Sequence, residues 1–380
     1  MSRAAPQPAW LEWQDAEGRP QGAQWRSVDA ARRPARVVEA DDTLPADTAY
    51  RLACEGTALL WRGDFHNARQ LLQALGRRFD RSRRKRSGPA ESAQAFHLYR
   101  LGEAQRARTL GQLLVPVEPG WRLPLKRAPE VAEACEAAWG ACEQPAVVPL
   151  RELLGALGAW QWRLKGVEVP ALAGRIHPHY GVFSPVRGEY VELVAAAPLP
   201  ATHLAFDIGT GSGVLAALLR RRGVQRVVAT DAEPRALACA RENLARLGLA
   251  EGVELLGTDL FPPGRAPLVV CNPPWLPGRA STPLERAVYD PDSAMLKGFL
   301  AALPEHLEAQ GEGWLILSDL AERLGLREPG WLLQLFDAAG LKVLDRLDTR
   351  PRHRRASDAT DPLHAARSAE ITSLWRLALR

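Results

Sequence analysis

From residue 203 onward the chain alternates short runs of β-branched and aliphatic residues with segments whose apolar positions recur at helical spacing. Such alternation predicts strands joined by helices, the pattern of an α/β sheet. HLAFDIG (203–209), QRVVATD (225–231), VELLGTD (253–259), PLVVCN (267–272) and GWLILSD (313–319) read as five successive strands. SGVLAALLRRRG predicts a helix that ends at Gly223. PRALACARENLARLGL predicts a second, with Pro234 in its first turn and Ala236, Ala240, Leu244 and Leu247 along its apolar face. A longer helix is expected at 292–309 and another in WLLQLFDAAG. LKVLDRLD and EITSLWRLAL close the chain as two strands linked by the polar, Arg-rich loop 351–368. The expected fold is α/β: a seven-stranded, doubly wound sheet whose last two strands form a hairpin.

The first 165 residues show no such alternation. DTAYRLACEGTALLWRGDFHNARQLLQALGRRF and PEVAEACEAAWGACE carry helical periodicity, which predicts a mainly helical N-terminal domain over 1–165 and a second domain over 166–380. The Pro- and Arg-rich start (1–36) is expected to be poorly ordered, and KGVEVPALAG (165–174) to link the halves.

Composition excludes several classes. With 46% hydrophobic and 24% charged residues, the chain is neither disordered nor fibrous. No apolar run reaches the ~20 residues of a membrane helix. The start lacks the apolar core of ~7–15 residues that a secretory signal needs. Five scattered cysteines show no zinc spacing, so no metal is expected and a reducing cytoplasm is favoured. A net charge of +5 permits a nucleic-acid partner without demanding one. The run Arg77–Arg86 reads first as a solvated helix face.

The first strand runs into DIGTGSG: Asp207, Gly209, Thr210, Gly211 and Gly213. Glycines at alternate positions allow a tight turn and close approach of backbone to a ligand. The spacing is not that of a dinucleotide site, because residue 214 is Val, and no lysine is present for a phosphate loop. Acidic-x-Gly-x-Gly-x-Gly after a first strand resembles the cofactor loop of class I S-adenosylmethionine (SAM) methyltransferases. Asp207 would then supply negative charge near the sulfonium and ammonium. Asp231, ending the second strand, suits the ribose hydroxyls; Asp259, after the third, suits the adenine amino group, with Leu260 against the ring. A Gly-rich turn and ordinary loop or N-cap acids are the plainer alternatives.

The fourth strand ends in Asn272-Pro273-Pro274-Trp275. Methylating an amide or aromatic amine requires acceptors on the NH₂ hydrogens, so that the nitrogen lone pair can aim at the methyl carbon. The Asn272 side-chain oxygen and the Pro273 carbonyl can be those acceptors, with Asn272 also expected to touch the cofactor; the two prolines stiffen the turn, and Trp275 offers a face for stacking. This motif resembles the [DNS]-P-P-[YFW] signature of amino-methyltransferases, here with Trp where Tyr or Phe is commoner.

IHPHYGVFSPVRGEYVELV before the glycine loop and LERAVYDPDSAML after NPPW are similar in placement to segments of the HemK-like family, which methylates a glutamine amide of release factors. Pro185, Arg187 and Glu189 stand where that family has a PRPETE-like segment, and Asp290-Pro291 where it has Glu-Pro. The resemblance implies that Tyr180 and Phe183 wall the pocket; core packing is the other reading. His177 and His179 lack partners at metal-ligand spacing. The expectation is a cytoplasmic, SAM-dependent N-methyltransferase whose N-terminal domain recognises a macromolecular substrate, with no metal or membrane partner. A protein glutamine is favoured over an RNA or DNA base amine. A non-catalytic SAM-binding scaffold is the alternative from another class, and a nicotinamide-dependent reductase the least favoured.

Overall fold

A computed structural model of the chain describes residues 9–27, 33–84, 92–186, 188–280, 282, 284–352, 358 and 361–380. The chain divides into two compact units, Met1–Ala90 with His97–Gln161, and Glu91–Phe96 with Trp162–Arg380.

The first unit is built on a six-stranded sheet, which corrects the expectation of a mainly helical domain. Its strands are Trp10–Gln14 (β1), Pro20–Trp25 (β2), Arg36–Ala40 (β3), Thr57–Trp61 (β4), Leu113–Val117 (β5) and Ala146–Pro149 (β6), in the order β1-β2-β6-β5-β4-β3. Helices Ala46–Cys54 (α1), Phe65–Arg84 (α2), Ser92–Leu110 (α3), Ala132–Trp139 (α4) and Leu150–Lys165 (α5) alternate with them. The physical reason for the correction lies in β4, β5 and β6, which are buried at every position. A strand covered on both faces shows no polar alternation, and a short apolar run beside helices is indistinguishable from more helix by periodicity. The start is likewise more ordered than expected: β1 and β2 pair antiparallel with Leu11, Ala23 and Trp25 buried. Residues 1–8 and 28–32 of that expected segment lie outside the described residues.

In the second unit the stretch expected as a link forms a hairpin of Val167–Val169 (β7) and Gly174–Ile176 (β8). Its apolar residues Val169 and Ile176 are buried, so it belongs to the core. Helix Glu189–Ala196 (α6) precedes the main sheet. Then follow Leu204–Ile208 (β9), Val214–Arg221 (α7), Arg226–Asp231 (β10), Pro234–Arg246 (α8), Val253–Gly257 (β11) and Ala266–Cys271 (β12). The short strands Leu276–Pro277 (β13) and Tyr289–Asp290 (β14) lead to Ala294–His306 (α9) and Leu307–Ser318 (β15). Leu320–Arg323 (α10), Trp331–Ala338 (α11), Leu341–Thr349 (β16), His364–Ala369 (α12) and Thr372–Leu379 (β17) complete the chain. Helix α12 begins within the segment expected to be only loop, of which 353–357 and 359–360 are outside the described residues.

The seven strands run β11-β10-β9-β12-β15-β17-β16, parallel except around β17, which pairs antiparallel with both neighbours. Alternation sends Ala205, Leu268 and Val270 to one core with α6 and α7, and Phe206, Val269 and Cys271 to the opposite core with α9 and α11. From β9 the chain winds outward to β10 and β11, then returns to β12 on the other side. At such a switch point the loops after the two central strands diverge and leave a crevice, where ligands of open α/β sheets bind.

Candidate active site

Both motifs meet at that crevice. Cys271 pairs with Ile208 across β9 and β12, so Asn272 and Gly209 leave the sheet side by side. Gly209, Gly211 and Gly213 have φ of 71°, 55° and 80°, the left-handed region that glycine adopts without a Cβ penalty. Space matters as much as angle. A Cβ on Gly213 would lie 3.0 Å from the Ala240 backbone of α8, and one on Gly209 would lie 2.8 Å from Met295 Cε.

Asp207 anchors the turn. Its Oδ2 accepts from Thr210 Oγ1 at 2.6 Å and from the Ala216 amide at 3.0 Å. Its Oδ1 is buried with no hydrogen-bond partner among the described residues. Burial pushes this carboxyl up to about 6, more than the two donors on Oδ2 pull it down. Asp231 ties the second strand to the loop, Oδ2 accepting from Gly211 N at 3.0 Å and Oδ1 from Glu233 N at 2.9 Å. Burial raises its pKa too. Each of its oxygens keeps a second lone pair for a hydroxyl. Asp259 is exposed in the loop after β11. Leu260 follows with φ 61°, its carbonyl accepting from Thr230 Oγ1 at 2.6 Å and its side chain close to Gly298 of α9.

Asn243 was not legible as a site residue. Fully buried on α8, it donates to the Ser212 carbonyl at 3.0 Å and accepts from His177 N at 2.7 Å. One amide thus joins the glycine turn to the segment before the sheet. That segment is also pinned by His179 Nε2, 3.0 Å from Glu242 Oε2, and by Arg235, which donates to the Tyr180 carbonyl at 3.1 Å. Both histidines are therefore engaged with α5 and α8, and no group of metal-binding side chains occurs among the described residues. Tyr180 and Phe183 are half-buried; Phe183 packs on the same core as Val214 and Leu215 at the start of α7. Of the PRPETE-like segment, Arg187 is outside the described residues, Pro185 is buried, and Glu189 accepts from the Arg352 amide at 2.6 Å.

Asn272 is half-buried, Pro273 buried, Pro274 and Trp275 half-buried. Trp275 packs against both cores and its indole N–H reaches back to Asn272 Oδ1 at 2.8 Å. Beyond it, β13 pairs with β14, bringing Asp290 to the start of α9, where its two oxygens accept the Met295 and Leu296 amides. Asp290 thus acts on Met295, which abuts Gly209. Asp292 and Ser293 between them are left-handed, and buried Arg327 donates to Ser293 Oγ at 3.0 Å.

Residues 173–323 match the family model described as methyltransferase small domain. The chain is 30% identical over 267 residues to the release factor glutamine methyltransferase of Cereibacter sphaeroides, covering 66% of this chain and 88% of that protein. The chain belongs to the HemK-like family. It is a SAM-dependent methyltransferase. Its similarity to the release factor glutamine methyltransferase of Deinococcus radiodurans is 34% over 46% of this chain and 61% of that one. With the ribosomal protein L11 methyltransferase of Geobacter metallireducens it is 37% over 34% of this chain and 48% of that one.

The residues present fit the cofactor of a HemK-like enzyme. The open oxygen of Asp207 offers an acceptor to an ammonium, and the Cβ-free cradle of Gly209 and Gly211 lets backbone approach closely. SAM supplies a methyl carbon on a cationic sulfur. Asp207 would hold its amino end, Asp231 its ribose and the Asp259–Leu260 loop its base. The chain's own part in the transfer would be to hold and orient donor and acceptor at one sheet edge. Among the described residues no helix is long and apolar enough to cross a membrane.

Proposed function

We propose that this enzyme methylates the side-chain amide nitrogen of a protein glutamine. The observation that carries the reading is the register of β9 and β12, which sets the Asn272 amide beside the glycine turn. An amide nitrogen is a poor nucleophile because its lone pair is delocalised. Asn272 Oδ1 and the Pro273 carbonyl accept its two hydrogens, which turns the lone pair toward the methyl donor. No strong base is needed, since the proton departs to solvent after transfer. The names of the HemK-like relatives support glutamine as the acceptor, and the N-terminal unit would then recognise the protein that carries it.

A nucleobase amine would use the same clamp. Helix α2 holds six arginines and one aspartate, which favours that second reading, although Arg78 and Arg83 are paired with Asp47 and Glu103. Lys85 and Arg86 of the basic run lie outside the described residues. The test is incubation with methyl-labelled SAM, a bacterial release factor, and total cellular RNA. Label in the factor that vanishes when its glutamine is replaced by glutamate supports the proposal. Label in RNA alone would reject it.

A further inference from the structure

We propose that Trp275 is a positioning residue for the methyl acceptor: its indole N–H fixes which end of the Asn272 amide faces the substrate. An asparagine amide has an accepting oxygen and a donating NH₂ of nearly equal size, and rotation by half a turn exchanges them. Only the oxygen can receive a substrate NH₂; the flipped amide would present hydrogens to hydrogens. Something must therefore select the orientation. The indole N–H is a donor only, so the atom 2.8 Å from it has to be the oxygen. That oxygen has two lone pairs, of which the indole takes one and leaves the other for the acceptor nitrogen.

The geometry is held from both sides. Trp275 is packed against both cores, and the buried Pro273 fixes the intervening backbone, so the indole returns to the residue three positions before it. A phenylalanine here would keep the apolar contact and lose the donor. The tryptophan is thus more than a stacking surface. It orients the clamp before substrate arrives, as preorganisation requires.

This inference rests on Asn272 being the acceptor of the substrate's N–H, and a double-mutant cycle separates the two. Aspartate has two accepting oxygens, so its orientation does not matter. We expect Trp275→Phe to lower kcat about tenfold with the protein acceptor, the loss of one orienting hydrogen bond. In the Asn272→Asp background the same change should cost less than about twofold. Trp275→Phe should leave the binding of S-adenosylhomocysteine, followed by calorimetry, unchanged within each background. Equal losses in both backgrounds would overturn the proposal while leaving Asn272 as acceptor. Undiminished transfer by Asn272→Ala would overturn both. Should Trp275→Phe fail to fold, hydrogen exchange at the Trp275 indole decides: slow in the parent and fast in Asn272→Ala is expected, and fast in both refutes the contact.

Discussion

Replacing Asp207 by asparagine separates what this carboxylate does for the fold from what it does for the cofactor. Its side chain is 1% exposed and burial lifts its pKa to about 6. The rise from the ordinary carboxylate value of 3.8 corresponds to about 3 kcal/mol against the ionised form in the folded chain. The sign follows directly. A carboxyl whose folded pKa lies above its unfolded one contributes stability fully below about pH 4, and that contribution is lost as pH rises through about 6. Near pH 8 the ligand-free enzyme therefore carries a buried charge with one open oxygen. Asp207→Asn removes the charge but weakens the bonds to Thr210 and Ala216 by about 1 kcal/mol. The net expectation is a Tm about 2–4 °C above the parent near pH 8, and no gain near pH 4. Cofactor binding should move the other way. A bound ammonium rewards the ionised carboxylate, so the affinity for S-adenosylhomocysteine should rise with pH up to about 6 in the parent and stay flat in the variant. Near pH 8 the variant should bind about 10–100-fold more weakly. Thermal unfolding and calorimetric titration across this pH range test both halves. A variant that is less stable near pH 8 and binds as tightly as the parent would be incompatible with an ammonium held by an ionised, buried Asp207.

Two further substitutions probe the scaffold of the same crevice. Gly213→Ala combines φ 80° with a Cβ 3.0 Å from the Ala240 backbone, which has no flexible end to move. It should cost more than about 2 kcal/mol in denaturant unfolding, and a loss below half that value would mean that α8 is not tightly seated. Asn243→Ala frees the Ser212 carbonyl and the His177 amide, so it should destabilise by about 2–3 kcal/mol and weaken S-adenosylhomocysteine binding about tenfold. Unchanged binding at temperatures where the variant is folded would confine Asn243 to the core.

What could be seen in the chain beforehand was governed by period and by punctuation. β9, β10 and β12 were legible because each apolar run stops at a glycine or a carboxylate, or at an asparagine followed by proline, which also pointed to the glycine turn and the Asn272–Trp275 turn. β4, β5 and β6 were not, because burial on both faces erases the alternation that distinguishes a strand. Asn243 and Met295 reach the site through α8 and α9 packing, which no local pattern records. Trp275 was legible as an aromatic beside two prolines; that its N–H closes on Asn272 needed the three-dimensional turn. Conversely, the start looked like a tail because it is rich in Pro and Arg: β1 buries only Leu11, and the run that β2 buries, Ala23–Trp25, has a glutamine at its centre.

One sheet edge is proposed to carry a cofactor loop and, beside it, an amide that receives the acceptor nitrogen. Asn272→Ala tests it most directly, with S-adenosylhomocysteine affinity and methyl transfer measured on the same preparation. We expect affinity within about threefold of the parent and transfer reduced by about a hundredfold or more. Transfer at the parental rate, or loss of cofactor binding in step with transfer, would contradict it.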